Sequence, residues 1–231
     1  DGSFAQIPFG ALLDDSGNVM IDMYQIKMAV NPDSLLARAR ALHGFGNRRN
    51  AVFAISSDSL PSTGAEASRI KEIFKKANLY IDEKAVSDKL LYEIRNSDGF
   101  IHIAAHASRS SENPLFSRIL LGDGPFFPFD LFQSGIRAEL ITLSGCQTAA
   151  PGLYYGNSFS LAKSFFQAGA KYVLATLWPV SDKISMLFMN RFYDSLKRKK
   201  SIFTAYLDAV NEIKGITDNP AFWGSFILLG A

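Results

Sequence analysis

Cysteine is nearly missing from this 231-residue chain, where Cys146 stands alone. An internal disulfide is therefore excluded, and the usage fits a reducing compartment such as the cytoplasm. Charge of one sign is equally scarce: 24 Lys and Arg against 22 Asp and Glu leave a formal net charge of +2. That is too little to argue for nucleic acid or a membrane surface as partner. No apolar run reaches membrane-spanning length. A secretory leader is not evident, because no basic segment followed by an apolar one opens the chain. The chain starts Asp1-Gly2-Ser3 rather than with Met, as expected of a piece of a longer protein. Internal repeats, low-complexity tracts and interdomain linkers are also absent from the sequence, so residues 1–231 are expected to form one domain.

What is present is an ordinary globular composition, 48% hydrophobic and 20% charged, in a chain long enough to bury a sizeable core. Strand and helix signals alternate from about Ala51. The apolar runs Ala51–Ser56, Leu79–Ile81, Phe100–Ala105, Glu139–Leu143, Tyr172–Leu177 and Phe226–Leu229 read as six strands. Thr63 and Glu66 have capping-box spacing at a helix start. Apolar residues then recur with helical period at Ala67, Ile70, Ile73, Phe74 and Ala77. Ser87 is expected to cap a second helix, Asn157 a third running to Ala168, and Ser201 one ending near Lys214. A further helix is expected over Lys183–Lys199, with the basic run Lys197–Lys200 in its last turn, where cations suit the helix dipole. Leu12-Leu13, a polar turn and Val19–Ile21 read as an antiparallel hairpin at a sheet edge. Fully apolar strands alternating with helices predict an α/β fold: a three-layer sandwich with a mostly parallel sheet of about six strands.

In such sheets, chemistry gathers beyond the carboxyl ends of the strands. His106 follows the third strand and Cys146 the fourth. If those strands are neighbours, the pair can act as base and nucleophile, since thiolate is the attacking form and imidazole can take the thiol proton. Gly145 lets the backbone approach closely, and the amides of Ala107 and Cys146 are candidate donors to an oxyanion. His102 lies within an apolar strand and reads as a buried, hydrogen-bonded core histidine. A metal site of His102, His106 and Cys146 is a weaker alternative, because zinc sites usually take three or four well-spaced protein ligands. No cofactor or metal is expected. Asp123 and Asp130, in the loop before the fourth strand, are further candidates for a substrate pocket. The run Pro125–Phe129 reads as core packing beneath a loop, with partner docking as the alternative.

The segments His102–His106, Leu143–Thr148, Ala168–Ala170 and Leu177–Asp182, in that order, resemble the CHAT domain family. Ile7–Leu12 resembles its opening strand, Leu60–Glu66 the stretch before its first helix, and Phe222–Phe226 its closing strand. The resemblance therefore spans nearly the whole chain. It implies a caspase-like sandwich shared with separases, gingipains and clostripain, and a cysteine endopeptidase with a His106–Cys146 dyad. The oxyanion would fall to the backbone of Ala107, Gly145 and Cys146. The family commonly has glycine after its histidine, where this chain has Ala107. By comparison with separases, Asp182 would line the substrate pocket and favour a basic residue before the cut. The other reading of Asp182 is a cap for the following helix. The implied partners are a protein or peptide substrate and tetratricopeptide-repeat regions or another regulatory partner. A catalytically silent interaction module on the same fold is the alternative.

Overall fold

The structure is a computed structural model. It describes residues 7–24, 26, 28, 44–110, 113–132, 134–145, 148–149, 152–154 and 157–230. Four parallel strands and their neighbours form its centre: β1 (Ala51–Ala54), β2 (Asn78–Ile81), β3 (Phe100–Ala104), β7 (Leu140–Leu143), β10 (Tyr172–Thr176) and β11 (Phe226–Gly230). They lie side by side in the order β11-β10-β7-β3-β1-β2. Every pairing is parallel except β10 with β11. All four central strands are buried on both faces, which is why they read as continuous apolar runs.

Alternate residues feed two cores. Val52, Ala54, Phe100, Ala104, Leu140 and Leu174 pack under α2 (Thr63–Ile73), α5 (Asp182–Lys197) and α6 (Ile202–Lys214). Phe53, Ile101, Ile103, Ile141, Leu143 and Val173 pack on the other face, under α3 (Ser87–Asn96) and α4 (Leu161–Gln167). Helices on both faces of a mostly parallel sheet give the three-layer sandwich expected from the sequence.

Several local expectations change. Thr63 and Glu66 do not make a capping box. Thr63 is already helical and its Oγ1 donates to the carbonyls of Leu60 and Ile55, while Glu66 turns into the core to meet His102. Ser87 is the first helical residue of α3 rather than its cap. The carboxylate of Asp123 receives its amide at 3.0 Å and its hydroxyl at 3.2 Å, so the cap comes from a distant loop. Asn157 does not start a helix. Residues Asn157–Phe159 (β9) pair with Gly152–Tyr154 (β8), and Ser160 caps α4 by accepting from the Lys163 amide. Ser201 caps α6 as expected.

The loop after β3 holds a small antiparallel sheet not foreseen from the sequence: β4 (Ala107–Ser108), β5 (Arg118–Leu121) and β6 (Gly124–Phe126). Within the Phe-rich run, Phe126 is buried whereas Phe129 is 45% exposed. The N-terminal hairpin is a single antiparallel bridge between Leu13 and Val19, followed at once by the helical turn α1 (Met20–Met23). The segment resembling an opening strand carries a 3-10 turn at Phe9–Ala11. Among the described residues, no helix is long and apolar enough to cross a membrane.

Candidate active site

The carboxyl ends of β1, β3, β7 and β10 lie side by side at one end of the sheet. In the register of β3 with β7, Ile103 is the partner of Leu143, the last residue of β7, and β3 runs one residue further. His106 stands three residues beyond one partner and Cys146 three beyond the other. The adjacency on which the pairing depends is therefore present. Cys146 itself lies outside the described residues.

His106 is half-buried. Its carbonyl accepts from the Leu120 amide at 2.8 Å, which anchors its backbone to β5. Its Nε2 lies 2.8 Å from Ser57 Oγ and 2.9 Å from Ser59 Oγ. Both serines belong to the turn after β1, closed by an antiparallel bridge between Ser57 and Leu60. Sequence reasoning passed over them, for a serine in a polar loop carries no distinguishing signal. Their one clue was position, at the carboxyl end of a strand.

Gly145 is where the chain leaving β7 passes the chain leaving β3. A Cβ there would come within 2.5 Å of the Ala105 carbonyl oxygen. Its own carbonyl accepts from Thr176 Oγ1 at 2.9 Å, which ties the turn to the end of β10. Thr148 adds to this tie, its Oγ1 accepting from the Thr176 amide at 3.3 Å. Close backbone approach at Gly145, read from the sequence, thus has a specific neighbour. Ala107 lies in β4 and pairs with Ile119.

Asp182 is the first residue of α5, and the cap is its neighbour Ser181, which accepts from the Ile184 amide. The Asp182 carboxylate instead accepts from the Ser62 amide at 2.7 Å, 120 positions away along the chain. Asp123 and Asp130 are both engaged by backbone amides. Asp123 holds the start of α3, and Asp130 accepts from the Phe127 amide at 2.8 Å.

The histidines in and just after the third strand part company. His102 is fully buried on the α2/α5 face, with its Nε2 2.8 Å from Glu66 Oε1 and its Nδ1 3.2 Å from the Tyr193 hydroxyl. The Tyr193 O–H is already donated to Thr142 Oγ1 at 3.0 Å. Burial pushes the Tyr193 phenol far above its ordinary value, so it stays neutral. This polar cluster joins β3 to β7 within the sheet. His106 turns the other way, to the serines, so the two imidazoles share no ligand position.

A mostly parallel sheet between helical layers, with its candidate dyad at the ends of two neighbouring central strands, is the fold of the caspase-like cysteine peptidases. The separase in the Saccharomyces cerevisiae separase–securin complex superposes with a TM-score of 0.68 at 16% identity, over 99% of this chain and 15% of that one. Gingipain R, an Arg-specific cysteine proteinase, gives 0.60 at 10% identity, over 79% of this chain and 46% of its own. The chain belongs to the CHAT domain family, whose match runs over residues 1–231. Tetratricopeptide repeat protein 28 of Mus musculus is 29% identical over 104 residues, and that of Homo sapiens 27%. The matched stretch is 44% of this chain but 4% of each relative, so this chain corresponds to a small part of those proteins.

Proposed function

We propose that the chain is a cysteine endopeptidase in which His106 is the general base and Cys146 the nucleophile. The observation that carries this reading is the pairing of Ile103 with Leu143 in adjacent parallel strands, from which His106 and Cys146 are equally far along the chain. The Cys146 thiol gives its proton to the His106 imidazole, and the thiolate sulfur attacks the scissile carbonyl carbon. The backbone amides of Ala107, Gly145 and Cys146 are the donors for the oxyanion that forms. When the carbonyl re-forms, the peptide C–N bond breaks and the leaving amine takes the proton from His106. Water then splits the thioester and restores the thiol.

Asp182 is assigned the selection of a basic side chain before the cut. Its half-buried carboxylate, bonded to the segment that follows β1, supports this, as does the arginine specificity in the name of gingipain R. The similarity to tetratricopeptide repeat protein 28 supports control of the domain by adjacent repeat regions or a regulatory partner. A catalytically silent interaction module on the same fold is the second reading. The exposure of Phe116 (56%) and Phe132 (65%) favours it.

The test compares wild type, Cys146→Ala and His106→Ala on peptides and covalent probes carrying Arg, Lys or Asp before the scissile bond. Cleavage after Arg or Lys that vanishes in both variants is expected. Identical behaviour of all three proteins would leave the interaction module standing.

A further inference from the structure

We propose that Ser57 and Ser59 are positioning residues for His106: they hold its Nε2 and thereby reserve Nδ1 as the atom that receives the thiol proton. This inference rests on the peptidase reading and names a part of its machinery. The geometry is specific. Two hydroxyl oxygens lie at 2.8 Å and 2.9 Å from one ring nitrogen and 3.4 Å from each other. A single N–H at that position can be shared between them. With Nε2 protonated, Nδ1 keeps its lone pair and can act as base. With Nε2 unprotonated and accepting a serine proton, Nδ1 would carry the hydrogen and could take nothing from Cys146.

The turn that presents the two serines is itself held at both ends. Before them, the Ser56 amide donates at 2.8 Å to Oδ1 of Asp82, which itself sits at a φ of 50°. That is the left-handed region, which aspartate enters more readily than most residues. After them, the Ser62 amide donates to Asp182 at 2.7 Å. Just ahead of the first point the Ile55 amide is bonded to the Ala104 carbonyl of β3, two residues before His106. A loop so fixed can hold an imidazole to the angular precision that proton transfer needs.

Proton and charge balance is simple. The thiol proton moves to Nδ1, the sulfur keeps the electron pair, and the Nε2–H stays in place while the ring becomes positive. Its bond to the serine oxygens strengthens at that moment because the donor is now charged. A carboxylate in the same place would favour the imidazolium more. Neutral hydroxyls orient the ring without fixing its charge.

The deciding experiment pairs nitrogen-15 histidine NMR with kinetics on the protein, using Ser57→Ala, Ser59→Ala, the double alanine variant and Ser57→Thr. Both serines are solvent-accessible, so truncation is expected to leave thermal unfolding unchanged. Wild-type His106 should show its proton on Nε2, and the double variant a mixture of tautomers. Peptide cleavage should fall about ten- to a hundredfold in kcat in the double variant, the worth of a hydrogen bond to a group that becomes charged. KM should stay within about twofold, since substrate binding is untouched. Ser57→Thr should recover most of the loss. A proton on Nδ1 in the wild type, or an unchanged kcat in the double variant, overturns the proposal. Labelling of Ser57 by a fluorophosphonate in Cys146→Ala also overturns it, by making the serine a nucleophile. A wild type that neither cleaves peptides nor alkylates at Cys146 defeats the peptidase reading instead, and the tautomer measurement still decides the role of the serines.

Discussion

Replacing Gly145 by alanine tests how closely the two strand ends must pass. The added Cβ would lie 2.5 Å from the Ala105 carbonyl oxygen, a backbone atom that cannot rotate aside. Carbon–oxygen contacts settle at about 3.3–3.6 Å, so the chains must part by roughly 0.8–1 Å. The Gly145 side resists, because its carbonyl is bonded to Thr176. The Ala105 side resists as well, because the next residue is anchored through the Leu120 amide. Overpacking of this kind costs about 1–3 kcal/mol. In a chain of this size that lowers Tm by roughly 2–12 °C. A displacement near 1 Å at the reacting groups also costs on the order of a hundredfold in rate. Thermal unfolding and the alkylation rate of Cys146, the one thiol present, measure the two effects separately. Gly64→Ala is the internal control. Its Cβ would meet only the Ser56 hydroxyl, at 3.5 Å, in the first turn of α2. It should be neutral or stabilise by up to about 1 kcal/mol. Equal Tm and equal alkylation rates for Gly145→Ala and wild type would refute the argument.

Glu93→Gln probes the most heavily bonded buried carboxylate, which accepts from Arg49, Asn78, Tyr80 and Ser97. Because the Arg49 side chain is 40% exposed and can rehydrate, a loss of about 2–3 kcal/mol is expected in urea unfolding, below the full cost of a broken buried pair. Acid should act through the same carboxylate and through Asp208. Burial alone would raise both, but their hydrogen bonds outweigh it and hold both below the ordinary carboxylate value. Their stabilisation is therefore complete above about pH 4.5 and lost as pH falls through the folded values. Urea midpoints measured from pH 7 to 3 should stay flat and then drop, less steeply for Glu93→Gln than for wild type. Tyr193→Phe removes the hydroxyl shared by His102 and Thr142. It should cost about 1–3 kcal/mol through the buried groups left unpaired, read as a lower urea midpoint.

The sequence by itself determined the layers. The strands β1, β3, β7 and β10 are apolar on both faces, and a residue buried on both sides of a sheet leaves no polar alternation to misread. The helices α2, α5 and α6 keep their 3.6-residue period over 11 or more residues. The placing of His106 after one strand and Cys146 after another was legible for the same reason. The tertiary structure decided what depends on a distant partner. Glu66 has the spacing of a capping residue, but burial beside His102 claims its carboxylate. Ser87 could cap its own helix, yet Asp123 arrives from 36 positions away to do so. Asp182 meets Ser62 across 120 positions, and Ser57 meets His106 across 49. A side chain hydrogen-bonds whatever the fold brings within about 3 Å. Sequence patterns carry the local half of that choice. The non-local half exists only once β1, β3, β7 and β10 lie side by side and their carboxyl ends meet.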